Sequence, residues 1–356
     1  MTEVDYDYLI IGQGLAGTSI AFHLLNLGKR FLIVGDSSLP SSSKVAAGIF
    51  NPLTGKKLVK TWLADDLFPY ARKFYSDLET KLDTRFLHEV SIYRPFRSIE
   101  EQNTYLAQSA DPVIAPYVSA NPDLVDVSVY IRAAYGGLEV VQSGWVDLPV
   151  LLEKSKTYFS DKGQFKDEKF ESNDLQIEKD HIVWKQLKFS NVIFCQGFMA
   201  LENRFFDWLP FAPVKGQILD IVTEKPIKQY IINQGIFMLP ISEFVMRIGA
   251  TYSWDPLDWN ATSEATDELN AKLKLLIKSQ YSVESAMAGI RPSVQDRRPL
   301  IGVHPEYGNV SIFNGLGTKG VTLAPFFANE LVQHLETGKE LNSLVNINRY
   351  YSLYFR

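Results

Sequence analysis

Cysteine is nearly missing from this 356-residue chain: Cys195 is its single example. An intrachain disulfide and a multi-cysteine metal site are excluded, and such usage suits a reducing compartment. Histidine is scarce as well. The five present (His23, His88, His181, His304 and His334) show no metal-ligand spacing, so no metal site is expected. No uninterrupted apolar run reaches the ~18 residues of a membrane span. No basic-then-apolar leader precedes the first apolar run, where Glu3, Asp5, Tyr6 and Asp7 stand instead. The cytoplasm is therefore the expected location. An excess of positive charge is also lacking, since the formal net charge is −5. That balance argues against an extended footprint on nucleic acid or anionic membrane and favours small-molecule chemistry. What the chain does hold is apolar residues, 46% with 13% aromatic, enough at this length for a large core and roughly two domains.

The segment Gly12-Gln13-Gly14-Leu15-Ala16-Gly17 lies between the apolar run Tyr8-Leu9-Ile10-Ile11 and a helical run over residues 18–27. Three glycines at this spacing let the chain turn tightly out of a strand and let backbone amides approach a pyrophosphate. They also let the following helix pack closely on the sheet with its N-terminus toward the phosphates. A second apolar run, Phe31-Leu32-Ile33-Val34, leads to Asp36, about twenty residues past the last glycine, where a carboxylate accepts from ribose hydroxyls. Strand, glycines, helix, strand and acid in this order predict a dinucleotide site. NAD and FAD remain equally open at this point.

Beyond a polar loop at residues 37–43, small residues in Lys44-Val45-Ala46-Ala47-Gly48-Ile49-Phe50 permit close backbone approach. Apolar residues at helical spacing over 61–82 are interrupted by Pro69, which predicts two helical pieces. From residue 88 to about 135 the pattern shifts to short β-branched and aromatic segments such as Val90-Ser91-Ile92-Tyr93-Arg94, the start of a second, antiparallel domain. Gly144-Trp145-Val146-Asp147 opens a helix over 148–159, and Asn191-Val192-Ile193-Phe194-Cys195-Gln196-Gly197 reads as a buried strand returning to the first domain. Strands follow at 216–222, 229–233, 236–239 and 244–251. An amphipathic helix runs from 263 or 264 to 278 with Thr262-Ser263-Glu264 as its cap. The chain closes with a strand at 309–313, the cluster Gly315-Leu316-Gly317-Thr318-Lys319-Gly320 and a helix over 325–337. The expected class is α/β: a Rossmann-like nucleotide domain (1–85, 136–210 and 285–356) interleaved with a second α+β domain on a mostly antiparallel sheet (86–135 and 211–284).

Several motifs in order resemble the family of FAD-dependent amine and amino-acid oxidoreductases that includes D-amino-acid oxidase, glycine oxidase and sarcosine oxidase. They are the N-terminal fingerprint with Asp36; the 42–48 segment; Gly144-Trp145-Val146-Asp147; the strand ending at Gly197; and Pro213-Val214-Lys215-Gly216-Gln217. Further on come Arg247-Ile248-Gly249-Ala250-Thr251, Gly289-Ile290-Arg291-Pro292 with Asp296, Pro299 and Gly302, and the closing glycine cluster. The resemblance implies that the first domain holds FAD and that the second sheet covers the flavin ring. Gly12, Gly14 and Gly17, with Leu15 and Ala16, would meet the pyrophosphate, and Asp36 and Ser37 the adenosine ribose. Ser42, Ala46, Ala47 and Gly48 would run beside the flavin. Phe170, on the strand after the Gly144 helix, would offer backbone contacts to adenine, with Gly197 and Gly289 lining the same path. Gly315, Gly317, Thr318, Lys319 and Gly320 would send amides to the ring's pyrimidine end; by itself that cluster is equally a helix-capping turn. Leu316 stands where the family often has a histidine, and no counterpart of a covalent attachment residue is found, so the FAD is expected to be noncovalent.

The same resemblance makes Arg291 the clamp for a substrate carboxylate, the alternative being a structural pair with Asp296. Lys319 would assist electron flow or hold the flavin anion, the alternative being a solvated loop lysine. Tyr230, Phe237, Tyr252 and Trp254 are candidates for an aromatic pocket or for core, with Tyr252 named as a substrate contact; Lys60 and Trp62 are near the cavity in sequence. Cys195 reads as a buried, inert thiol. The implied reaction is oxidation of the C–N bond of an amino acid or related small amine. Hydride passes to the flavin N5, the imine hydrolyses, and oxygen or another acceptor takes the electrons. Alternatives are an aminomethyl group on tRNA or a thiamin-pathway glycine, and, in another class, a flavin-binding sensor or electron carrier without turnover.

Overall fold

A computed structural model of the chain describes residues 3–55, 57–119, 125–225 and 230–356. Its central element is an eight-stranded sheet whose parallel core pairs Tyr6–Ile11 with both Phe31–Gly35 and Leu187–Phe194. The latter pairs in turn with Val310–Asn314. These strands read as unbroken apolar runs because both faces are covered. Tyr8 and Ile10 pack toward the helices Leu15–Asn26 and Gly320–Thr337, while Leu9 and Ile11 join Trp184, Phe189 and Phe206 on the other side. Beyond Leu187–Phe194, Ile182–Trp184 pairs antiparallel with it, and the edge strand Leu175–Ile177 pairs antiparallel with Ile182–Trp184.

A seven-stranded, mostly antiparallel sheet packs beyond it, in the order Tyr281–Arg291, Val214–Thr223, Val245–Gly249, Phe237–Pro240, Ile231–Asn233, Ile92–Pro95, Gly137–Val140. One of its faces buries Leu219, Ile221, Met238 and Ile248 against Leu269, Leu273 and Leu276 of the helix Ser263–Leu276. The Thr262 hydroxyl accepts from the Ala265 amide, which caps that helix. Gln229, the first residue of one expected strand, lies outside the described residues.

Three strands lie at or near the expected domain boundaries. Gly137–Val140 pairs with Ile92–Pro95 in the second sheet, beyond the break expected at 135/136. Leu87–Glu89, expected to open the second domain, instead pairs with Gly144–Val146 in a small sheet that also takes Ile49–Phe50. Tyr281–Arg291 runs without a break through the boundary expected at 285.

Pro69 does not divide its helix: Ala64–Leu82 is continuous. Only the amide that would reach the Asp65 carbonyl is lost, and the buried stripe Leu67, Phe68, Ala71, Phe74, Tyr75 and Leu78 outweighs one hydrogen bond. The last helix likewise starts at Gly320, five residues before its expected start at Pro325. Pro325 frees the Val321 carbonyl, and the Tyr75 hydroxyl donates to it at 2.7 Å. Tyr75→Phe is therefore expected to strand a buried acceptor and cost about 1–3 kcal/mol. Calorimetry checks this; an unchanged melting temperature would mean the carbonyl finds another donor.

Candidate functional site

A cavity of about 790 Å³ lies between the two sheets, within the size of cofactor pockets, roughly 300–1,000 Å³. Its floor is the carboxyl end of the parallel strands at Ile11, Val34 and Cys195, the usual place for a ligand in such a sheet. Its far wall is the second sheet, through Ile218, Asn233, Phe237 and Gly249.

The glycines of the first turn divide the work. Gly12 has φ +105° and a Cβ there would run into the Cys195 carbonyl, so it is needed for the turn itself. At Gly17 a Cβ would enter the Gly12 carbonyl, which makes this residue the point where helix and turn touch. Gly17 is absent from the cavity lining, while Gly12 and Gly14 belong to it. Gly14 differs from both: its φ of −81° suits any residue and a Cβ would meet only the Ser43 Oγ, at 3.3 Å. Its lack of a side chain is of use only to whatever fills the cavity. The helix it begins has no side-chain cap. Leu15 lines the cavity, but its amide already donates to Ser43 Oγ at 3.2 Å; Ala16 lines it beside Leu15.

At one end of the cavity, the Ser38 amide (2.8 Å) and hydroxyl (2.5 Å) both donate to Asp36 Oδ1. These bonds hold the carboxyl below its ordinary pKa and leave Oδ2 for a ligand hydroxyl. Ser37 lines the cavity with its polar groups already engaged: its amide donates to Asp167 and its hydroxyl accepts from Lys156. Lys156 in turn pairs with Asp167, whose carboxyl these bonds lower to about 2. Phe170 lines the cavity too, but it lies past the strand Phe165–Asp167 rather than on it, edge-on to Phe194.

Midway, Gly48 has φ +69° and lies against the Val146 backbone, which brings Ala46 and Ala47 to the cavity wall. The helical turn Ser42–Val45 occupies part of the expected polar loop and docks on the strand that carries the key arginine. Ser42 Oγ donates to the Ile290 carbonyl, and a Cβ on Gly289 would come within 3.2 Å of Val45. Ser42, Gly289 and Gly197 all line the cavity.

Arg291 projects from the end of Tyr281–Arg291 across Gly216, where a side chain would collide with its guanidinium. The guanidinium reaches the Lys215 carbonyl (3.3 Å) and the Thr251 carbonyl (3.4 Å) and lies 4.5 Å from the ring centre of Tyr252. No carboxylate among the described residues pairs with it; Asp296 takes Arg349 instead, at 3.0 Å. Burial disfavours its charge, so Arg291 is a desolvated cation open to the cavity. Tyr252, 58% exposed, forms its outer cover.

The closing cluster turns through Gly315 (φ +73°) and Gly317 (φ +53°) into the helix Gly320–Thr337. Gly315 sits beneath the turn, where a Cβ would press on Val294 at 2.7 Å, and is absent from the lining. Gly317, Thr318, Lys319 and Gly320 do line the cavity. Lys319 is half-buried, donates to Thr61 Oγ1 at 3.3 Å, and has its pKa lowered by burial first and by Arg298 second. A cation beside a second cation at a helix N-terminus favours an anion in front of it.

Other expectations met different outcomes. Phe237 reaches the cavity, whereas Tyr230 is core and Trp254 is exposed. Lys60 pairs with Asp65, and Trp62 stacks on Phe327; Thr61 between them is the lining residue. The Cys195 thiol is buried, which pushes its pKa up. No group of metal-ligand residues is found among the described residues. Arg94, Arg97 and Asn233 also line the cavity and went unread, because nothing in their local sequence separates them from ordinary strand and loop residues.

Two uncapped helix N-termini, a glycine that only a ligand needs and an open carboxylate at the far end fit an extended dinucleotide. Comparison with known proteins agrees. The model of the family described as FAD dependent oxidoreductase, DAO, matches residues 7–334. Glycine oxidase of Bacillus subtilis is 22% identical over 95% of this chain and 94% of its own length. A tRNA 5-methylaminomethyl-2-thiouridine biosynthesis bifunctional protein of Actinobacillus pleuropneumoniae is 21% identical over 91% of this chain, which spans 55% of that protein. The crystal structure of glycine oxidase from Bacillus cereus superposes with a TM-score of 0.78 at 21% identity, over 96% of this chain and 97% of that one. The chain belongs to the DAO family of FAD-dependent oxidoreductases.

Proposed function

We propose that this enzyme oxidises the C–N bond of a small amine that carries a carboxylate, an amino acid or an N-substituted one. The observation that carries this reading is Arg291: a desolvated guanidinium with no carboxylate partner among the described residues, open to the cavity that the glycine turn serves. A planar fork of this kind binds a carboxylate through two parallel hydrogen bonds and fixes the attached α-carbon.

Bound FAD supplies a two-electron acceptor. The remaining work falls to the protein. Gly12, Gly14 and Ala16 would leave the pyrophosphate room, Asp36 would take the ribose, and Ala46, Ala47 and Gly48 would run along the ring. Lys319 and the start of Gly320–Thr337 would hold the end where negative charge gathers. An amine that binds neutral requires no side-chain base at its α-carbon, and the buried thiol of Cys195 is unsuited to that task. Oxygen or another acceptor takes the electrons, FAD is held noncovalently, and the lone cysteine fits a cytoplasmic setting.

Anaerobic mixing of the yellow holoprotein with a panel of amino acids and N-alkyl amino acids tests the reading. Bleaching of the flavin band by carboxylated amines, and not by the same amines lacking the carboxylate, is expected. A protein bleached by dithionite but by no amine would refute it and favour a flavin sensor or carrier. Bleaching by a tRNA bearing an aminomethyl base, and not by free amino acids, would favour the tRNA reading, which the net charge of −5 disfavours.

A further inference from the structure

The slot that holds Arg291 is fastened from the opposite side of the second sheet. Along Val214–Thr223, Gly216 and Ile218 line the cavity, so Lys215, Gln217 and Leu219 point the other way, toward the side packed by Ser263–Leu276. Lys215 is an ammonium there with only 6% of its side chain exposed, and its Nζ pairs with Asp258 Oδ1 at 2.5 Å. This bond holds the Asp258 carboxyl below its ordinary pKa.

Asp258 belongs to residues 251–262, which connect Val245–Gly249 to the helix. The start of this segment pairs with the strand: the Gln217 amide donates to the Thr251 hydroxyl at 2.9 Å, and Lys215 and Ser253 exchange backbone hydrogen bonds of 2.8 and 3.0 Å. Its end is held by the Gln217 side chain, whose Oε1 accepts from the Thr262 amide at 2.7 Å and whose Nε2 donates to the Thr262 carbonyl at 3.1 Å. Between these two attachments, the Lys215–Asp258 bond ties the middle of the segment to the same strand. Trp259, next to Asp258, lines the cavity with its ring 6.2 Å from that of Phe198.

Lys215 therefore contributes twice. Its carbonyl accepts from the Arg291 guanidinium, and its ammonium holds the segment that supplies the second carbonyl, at Thr251, and the covering ring, at Tyr252. Without Asp258 a buried ammonium would lack its counter-charge, a penalty that the chain relieves only by moving. A guanidinium that must meet a carboxylate through two parallel bonds tolerates little movement of its supports.

We propose that Asp258, acting through Lys215 on the far side of the sheet, is a positioning residue that sets the Arg291 guanidinium for carboxylate binding. It touches neither the substrate nor the cavity. This inference rests on reading Arg291 as the carboxylate anchor.

The test uses the holoenzyme and two readouts. Propionate, which has a carboxylate and no amine to oxidise, is titrated against the absorbance of bound FAD. KM and kcat are measured for an amino acid that bleaches the flavin and for the same amine without its carboxylate. Asp258→Ala is expected to raise the propionate Kd and the amino-acid KM about 10–100-fold, the scale of a small misplacement, while kcat stays within about threefold. The decarboxylated amine should be unaffected, and Asp258→Glu should recover most of the loss. Lys215→Met removes the buried charge itself, so the double variant should bind propionate no worse than Asp258→Ala alone. FAD content and melting temperature monitor the fold. Two results overturn the proposal: an unchanged propionate Kd in Asp258→Ala, or an equal loss with and without the substrate carboxylate. Arg291→Ala separates the two claims. A propionate Kd that Arg291→Ala leaves unchanged refutes Arg291 as the anchor. One that Arg291→Ala raises and Asp258→Ala does not refutes only the role of Asp258.

Discussion

Gly14→Val should yield a folded protein that purifies without FAD. Gly14 is the N-cap of Leu15–Asn26 with an ordinary extended ψ, and a Cβ there meets only the Ser43 hydroxyl, which rotates aside. Loss of a favourable N-cap residue costs the fold about 1 kcal/mol. The two added methyl groups of valine, however, stand in front of the amides that open the helix, where a pyrophosphate must approach to about 3 Å to accept a hydrogen bond. Absorbance at the flavin band after purification, with FAD titration followed by fluorescence, reads the effect, and a drop in affinity of more than a hundredfold is expected. Gly17→Val supplies the contrast, because its Cβ collides with the Gly12 carbonyl inside the protein and the expected result is a fold that fails to form. A Gly14→Val protein that stays yellow would place the pyrophosphate elsewhere.

Arg291→Ala should leave FAD content intact and lower kcat/KM for carboxylated amines by about 2–5 kcal/mol, some 30-fold to several thousandfold, since a substrate carboxylate would be buried without its partner. The fold should change little. The guanidinium's protein contacts are two carbonyls at 3.3–3.4 Å and the face of Tyr252, the latter worth about 0.5–1 kcal/mol at an exposed ring. Arg291→Lys should recover only part of the loss. The floor at Gly216 is cut to a flat guanidinium, and an ammonium presents a point charge in place of a fork. Steady-state kinetics with a carboxylated amine and its decarboxylated counterpart decides: an equal fall for both would make Arg291 a positioning residue.

The local order of strand, glycines, helix, strand and acid was legible because each step is set by neighbours within a few residues: backbone freedom at Gly12, apolar runs at residues 8–11 and 31–34, and a short carboxylate at Asp36. Periodicity also located Ser263–Leu276 and its Thr262 cap. The helix interruptions at Pro69 and Pro325 misled for one reason. A proline removes one backbone donor wherever it stands, but whether the helix ends there depends on packing from residues far away, such as the Tyr75 hydroxyl that satisfies Val321 across 246 positions of chain.

The site divides along the same line. Sequence alone determined that a dinucleotide turn opens the chain and, through a resemblance spread over the whole length, pointed to the arginine at 291. It did not determine that Gly17 and Gly315 support their turns from outside the cavity while Gly14 and Gly317 line it. Nor did it reveal that Gly216 clears the space for Arg291, or that Arg94 comes from a strand nearly 200 residues earlier to the same cavity. Only the tertiary structure decides these points, because a side chain's partner or lack of one depends on which strands become neighbours. Sheet order is set by burial of both faces of two sheets at once, a property of the whole chain that no segment carries by itself.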